Sequence, residues 1–475
     1  MDRRWSSLLL GSVLLFTFAA SSSSDQAADI KRDQMDAVAW YNLGNELFSD
    51  SKYNESIEAY DRAIELNESY VEAWKDKGRA LTILNNSQEA IRCFDEVLNI
   101  DPKFERAWYG KGYVLFQSGS YNESIECLEV ALRIDPYDVD AWTLKGLSLL
   151  SLGKYDEAIE AYDQAIEIDP QYPQAWGNKG NVLAIQENYD QAIRCFDEFI
   201  RLDPNDSKAW NAKGNALYYQ GHYAEAVQAY DEAIRLDSEY ASSWDNRGLA
   251  LDGLGDYAEA IRCFDEAIRL DPENAKFWTN KGIALDSMGN YTEAVQAYDE
   301  AIRLDPEYAR AWNNKGWIQY LLGNYTEAIQ AYDEAIRLDP EYTSAWNNRG
   351  MVLHGQGNYS EAIQAYDEVI KIYPLDVMAW TNKGLALIML GRYDEAIQCS
   401  EEALKIDLLN EDAWNNKGLA LTMLGRYDEA IDCFDRALEI NSRNKLAQNN
   451  KRLAIAGCDI ESSKLENYNR NAEIW

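Results

Sequence analysis

Apolar and small residues recur along this chain with a period of 34. Trp40, Trp74, Trp108, Trp142, Trp176, Trp210, Trp244, Trp278, Trp312, Trp346, Trp380 and Trp414 all keep that spacing. Counted from Ala37, each of these tryptophans holds position 4, and twelve repeats run to Asn444 without an insertion. Position 8 is Gly in every repeat, and position 11 is Leu in all but one, where Gln319 stands. Positions 4, 8 and 11 share one face of a helix, here called helix A. Position 15 is Gly in nine repeats and predicts the end of helix A. Positions 17, 20, 24 and 27 form a second stripe, as in Tyr291, Ala294, Tyr298 and Ala301, and predict helix B. Asp-Pro at 31–32 then stops the helix and turns the chain. One such pair cannot bury its own stripe, so neighbouring repeats must stack.

The pattern resembles the tetratricopeptide repeat (TPR) family, whose signature places Trp, Gly, Ala and Pro as in Trp312, Gly316, Ala328, Ala335 and Pro340. The resemblance spans 37–444. It implies an all-α solenoid, a right-handed superhelix whose helix A residues line an inner groove. The chain departs from the family at position 7, which is Lys or Arg in eleven repeats and Leu43 in the first. These cations are read as stems lying along the core and reaching neighbouring acids.

The ends read differently. Arg3 and Arg4 precede a short apolar run from Leu8 to Phe18, then Ala19, Ala20 and serines. This predicts a secretory signal peptide over 1–21, with an uncleaved anchor as the alternative, and hence an exported protein, secreted or in the cell envelope. No stable membrane insertion is expected if the signal is cleaved. Residues 22–36 form a polar linker, and 445–475 a capping helix followed by a tail. Gln448-Asn449-Asn450-Lys451 echoes the start of helix A without its Trp.

Charge narrows the function classes. The chain has 81 acidic and 45 basic residues, a net charge of -36, which argues against nucleic-acid partners. His222 and His354 are the two histidines, in different repeats. Neither has a ligand or a catalytic partner at a useful spacing. No phosphate loop, metalloprotease motif or catalytic triad can be assembled, and the repeats leave no room for a catalytic domain. The expectation is a non-enzymatic protein that uses no cofactor or metal. Six of the seven cysteines (Cys93, Cys127, Cys195, Cys263, Cys399 and Cys433) share position 23, where other repeats carry Ala, and are read as small core residues.

Eight Asn-x-Ser/Thr triplets begin at Asn54, Asn67, Asn85, Asn122, Asn205, Asn290, Asn324 and Asn358. In an exported chain Asn54, Asn122, Asn290, Asn324 and Asn358 are candidate N-glycan acceptors at the turn between helices A and B. Ordinary turn chemistry explains the same residues.

By the resemblance, positions 2, 5, 6, 9, 12 and 13 of helix A face the groove. Position 6 is Asn in eight repeats, including Asn42 and Asn178. It is consecutive in Asn246, Asn280, Asn314, Asn348, Asn382 and Asn416. A carboxamide donates and accepts, which suits an extended peptide backbone. The row resembles the asparagine ladder of superhelical TPR proteins that clamp peptides. Copying of one ancestral Asn by duplication explains it equally. Trp317 and Tyr320 lie outside the core register and add contact area, or pack between helix A turns. Tyr109, Tyr113, Phe116, Tyr218 and Tyr219 are further groove aromatics. Asp245, Asp252 and Asp286 make a local acidic spot that suits a cationic side chain or Ca²⁺, or is only solvated. The Lys/Asn pattern of carboxylate-clamp relatives is absent: Lys75 is followed at position 9 by Arg79. The leading expectation is a protein-protein interaction scaffold that binds peptide or protein segments in the groove. The runner-up is a structural envelope or extracellular component, acting through its convex surface and glycans. Groove positions carry nearly balanced charge, so the excess acid belongs to helix B. There position 25 is always Asp or Glu and is expected to pair four residues on, as Asp299 with Arg303.

Overall fold

A computed structural model describes residues 35–457. The signal-peptide segment, most of the polar linker, Cys458 and the tail lie outside the described residues. Every regular element among the described residues is an α-helix. Helix A covers positions 1–13 and helix B positions 17–30, from α1 (Ala37–Ser49) and α2 (Tyr53–Leu66) to α23 (Glu411–Met423) and α24 (Tyr427–Ile440). A further helix, α25, covers 445–457.

The boundaries follow local chemistry. Position 15 has positive φ in every repeat, between 73° and 84° in its nine glycines and near 60° in Ser51, Asn85 and Glu187. A left-handed residue closes helix A and reverses the chain. Before several helices A, an Asp or Asn accepts the backbone N–H three residues on, as Asp138 from Ala141 at 3.0 Å and Asn410 from Ala413 at 2.8 Å. The chain divides into two compact units, one up to His222 and one from Tyr223. The division falls inside repeat 6. In each unit, the two helices of every other repeat pack together, and each helix B packs on the helix A that follows it.

The deepest side chain is not the tryptophan. Position 24 holds Tyr60, Phe94, Tyr162, Phe196, Tyr298, Tyr332 and Phe434, each at most 2% exposed. The ring lies on the Gly of position 8 in the same repeat: a Cβ on Gly282 would stand 2.5 Å from the Tyr298 ring. Where position 24 is aromatic, the glycine is therefore a steric demand of that ring; Gly384, in the repeat with Ser400, has only ordinary contacts. The tryptophans are half-buried at the cluster margins, as Trp278 is beside Leu285 and Tyr298. The expected core role holds only in part, because the indole also needs a partner for its N–H. In eleven repeats Nε1 donates to the carbonyl six residues back, as Trp312 to Pro306 at 3.1 Å and Trp108 to Pro102 at 3.0 Å. Each Trp thus pins the turn that delivers its own helix. Gln448 makes the same bond to Ser442 at 2.8 Å, so α25 enters as a helix A without an indole.

The position 7 cations reach acids as expected, but in the preceding repeat. Lys315 pairs with Asp299 at 2.6 Å and Arg349 with Asp333 at 2.6 Å, and Lys451 of α25 continues the series with Asp435. The expected Asp299–Arg303 pair does not form. Asp299 is taken by the next repeat, and Arg303 pairs with Glu300 at 2.7 Å. Several of these lysines also lie over their own Trp, Lys315 being 5.5 Å from the Trp312 ring centre. The six cysteines of position 23 are buried and free. Burial pushes the Cys93 thiol up to about 12 and that of Cys433 to about 11, so they are unreactive packing groups near neutral pH.

Candidate functional site

In the unit from Tyr223, the helix A face carries the asparagine row. The structure spends part of it on the protein itself. Asn280 is 8% exposed and donates both ways to the Asp245 carboxylate, at 2.9 and 3.2 Å. Asn348 donates to Asn313 at 3.1 Å, and Asn313 donates in turn to Asn314 at 3.2 Å. Asn416 is 5% exposed and donates to the Thr381 carbonyl at 3.2 Å. In α25, Asn450 donates to Asn415 at 3.0 Å. In each inter-repeat case position 6 reaches position 5 of the repeat before, bridging consecutive helices A. Asn246, Asn314 and Asn382 are half-buried. Among the described residues the carboxamide N–H groups of Asn314 and Asn382 have no acceptor.

Trp317 and Tyr320 sit one turn further along the helix that carries Asn314, with ring centres 5.7 Å apart. Trp317 packs one edge on the Leu285, Tyr298 and Ile318 cluster, and Tyr320 on Tyr332 and Val352. Both remain partly exposed, and the packing expected of Trp317 is present. The acidic spot does not converge. Asp245 is committed to Asn280, and burial pushes its carboxyl up to about 6 against the lowering effects of that bond and of Lys276 and Arg310. Burial also raises Asp252 and Asp286. Among the described residues no group of three or more His, Cys, Asp or Glu could hold a metal ion.

The unit up to His222 differs. Its position 6 residues are Asn42, Asp76, Gly110, Leu144, Asn178 and Ala212. At Gly110 no side chain bridges the gap, and the Phe94 ring fills the space a Cβ would need, at 2.7 Å. A cavity of about 810 Å³ opens there, lined by Phe94, Gly110, Tyr109, Tyr113, Glu105 and Tyr172 among others. Sequence reasoning had flagged Tyr109 and Tyr113 but missed Glu105, Tyr172 and the cavity. The available signal was the break in the position 6 column.

The 34-residue junctions, repeated with the same Trp, Gly and aromatic register, match tetratricopeptide repeat models over 37–70, 178–241, 246–306, 279–343, 341–408 and 411–444, and a TPR repeat model over 146–186. The chain belongs to the tetratricopeptide repeat family. Residues 84–165 of this TPR protein also match a model described as anaphase-promoting complex, cyclosome, subunit 3. No curated protein matches the chain. Among solved structures the TPR chain is similar to yeast Tom70, at 18% identity and TM-score 0.42, covering 90% of this chain and 96% of that one. It is also similar to the Cut9–Hcn1 hetero-tetramer of the APC/C, at 16% and 0.44, covering 90% and 98%. A third is YrrB, described as a TPR protein with an unusual peptide-binding site, at 25% and 0.36, covering 40% and 97%.

The candidate glycan acceptors fall into two groups. Asn290, Asn324 and Asn358 are exposed at the start of helix B, as are Thr292, Thr326 and Ser360. Asn54 and Asn122 are exposed, but Ser56 and Ser124 are fully buried, Ser124 donating to the Gly112 carbonyl at 2.7 Å. No described helix is long and apolar enough to cross a membrane.

Proposed function

We propose that this TPR protein is a non-enzymatic scaffold that holds extended peptide or protein segments along the helix A face of repeats 7–12, after export directed by residues 1–21. The observation that carries the reading is the grouping of Asn314, with unengaged amide donors, beside the partly exposed Trp317–Tyr320 pair. Asn382 presents the same donors two repeats on. A peptide backbone supplies carbonyl acceptors along its length, and aromatic rings supply area with little side-chain entropy to lose. Asn246 completes the proposed row, while Asn280, Asn348 and Asn416 brace the helices that display it. Neither a nucleic acid nor a cofactor enters this reading. The test is capture of partner segments by the immobilised full chain, with bound proteins identified by mass spectrometry. Trp317→Ala and the pair Asn314→Ala/Asn382→Ala should weaken capture at least fivefold with helicity unchanged. Undiminished capture by both variants sinks the assignment.

A second reading has its own observation. Asn290, Asn324 and Asn358 recur at one place in three consecutive repeats, each with an exposed hydroxyl two residues on. A row of glycans there suits a spacer or assembly component of the envelope. Sedimentation showing self-association that survives the asparagine changes, with a mass loss on glycosidase treatment, favours this reading over the first.

A further inference from the structure

The cavity beside Gly110 has a sign and a shape. Its walls include Tyr109, Tyr113 and Tyr172, and its volume of about 810 Å³ lies in the range of ligand pockets. Tyr109 and Tyr113 lie with ring centres 6.5 Å apart and 23° between planes. Four acids line it, Glu105, Asp135, Asp138 and Asp140. Three of these have partners. Asp135 accepts the Tyr137 N–H at 3.0 Å, Asp138 the Ala141 N–H at 3.0 Å, and Asp140 the Tyr172 hydroxyl at 2.7 Å. Glu105 meets another acid: its carboxyl is hydrogen-bonded to the Asp138 side chain, and its Oε1 is buried with no hydrogen-bond partner among the described residues. Of the lining cations, Lys75 and Arg79 share one carboxylate, Asp76, at 3.4 and 3.0 Å, and Arg79 is also 5.2 Å from the Phe48 ring centre. Arg106 is exposed to solvent. Arg106 acts on Glu105 only at a distance, and among the described residues no cation forms an ion pair with Glu105.

We propose that this cavity is a specificity pocket for an arginine side chain of a bound partner segment, with Glu105 and Asp138 as its carboxylates and Tyr109 and Tyr113 as its aromatic walls. It rests on the reading of helix A faces as segment-binding surfaces and extends that reading to the unit up to His222. A guanidinium fits better than an ammonium. It is planar, stacks on aromatic faces, carries donors in a fork that matches carboxylates, and gives up hydration more easily. Burial and the Asp138 carboxyl together push Glu105 up to about 7, the condition of an acid held without its counter-charge, which a guanidinium would supply. Gly110 is what makes the pocket. The side chain that bridges helices A elsewhere would occupy it.

The test uses the full chain and calorimetric titration with four probes: a ten-residue Gly/Ser peptide carrying one arginine, the same peptide with lysine or with neutral citrulline, and N-acetyl-arginine methylamide. The expected result is at least tenfold tighter binding of the arginine peptide than of the citrulline peptide. Glu105→Gln should reduce that ratio below threefold while leaving the citrulline peptide unchanged, and Tyr113→Ala should weaken the arginine peptide with the fold intact by circular dichroism. Equal binding of arginine and citrulline peptides overturns the pocket and leaves the scaffold reading standing. Equal binding of lysine and arginine peptides overturns the guanidinium assignment. Saturable binding of the methylamide that Glu105→Gln abolishes, with no peptide bound, supports the pocket and sinks segment binding.

Discussion

The two units use one repeat and differ at one column. From Tyr223 onward, position 6 is Asn in every helix A, and the carboxamides of Asn280, Asn348 and Asn416 are among those that bridge to the repeat before. Up to His222 the column is mixed, and at Gly110 the bridge is missing and a cavity takes its place. A regular column makes a continuous surface that treats every stretch of a bound chain alike. A broken one makes a distinct pocket, where one side chain can be chosen. On the proposed reading, selectivity in such a stack would come from interruptions of the pattern, and affinity from its continuity.

The comparison is broken most severely by writing the regular residue into the gap. Gly110→Asn places a Cβ 2.7 Å from the Phe94 ring, inside contact distance. It should lower stability by about 1–3 kcal/mol, as overpacking does, and show as a drop in the thermal midpoint. A midpoint at or above the parent's would mean that Phe94 does not hold the gap open. The opposite change, Asn280→Ala, leaves the buried Asp245 without its two donors and should cost about 1–3 kcal/mol in denaturant unfolding. Asn382→Ala, with no such bond, should stay within about 0.5 kcal/mol. Equal losses for the two would remove the distinction between bracing and presenting asparagines.

Acid titration sharpens the same point. Asp245 has a folded-state value near 6 against an ordinary 3.8. The folded state therefore binds the proton more tightly, and this group's contribution to stability falls as pH rises from about 4 to 6, then levels. Asp245→Asn should remove that fall, so the difference between variant and parent in thermal midpoint should change across pH 4–6 and level above it. A difference independent of pH would show that the carboxyl is not held up. The remaining difference between the units lies at a turn. Glu187 adopts φ 60° where nine other repeats have Gly. Glu187→Gly should stabilise by about 1 kcal/mol, because a left-handed non-glycine residue is strained; no gain would mean that the side chain compensates in place.

Much of the fold was legible, because a strict period converts directly into helix faces and turns. Trp, Gly and Leu at 4, 8 and 11 marked helix A, and Gly at 15 marked its end. What escaped was whatever crosses from one repeat to the next. Asp299 and Arg303 look like a pair within helix B, yet Asp299 goes to Lys315, because the next helix A brings an ammonium closer than its own helix does. The asparagine column was visible, but its division between Asn280 and Asn382 was not. Asn382 follows Asn347 as Asn348 follows Asn313, yet only Asn348 makes the bond, so the division depends on a distance in space and not on the residue type at position 5. The cavity was legible only as an exception, Gly110 in a column of larger residues, and an exception in one sequence has no direction until its neighbours are placed.

The bonds between consecutive repeats carry a genetic consequence. Each junction is made by the same pair, position 7 on position 25, and by an indole tied to its own incoming turn. Nothing in such a junction identifies which two repeats it joins. Loss of residues 309–342 would set Arg349 against Asp299 in place of Lys315, with Trp346 still tied to a Pro carbonyl six residues behind it, now that of Pro306. Recombination between like-spelled segments can thus lengthen or shorten the gene in steps of one repeat while the ion pair and the indole bond of each seam survive, although the Asn348–Asn313 bridge would be lost in this case. The array's length is a trait open to selection in whole increments, and the bridge-free Gly110 step is a mark that such copying would carry along or erase.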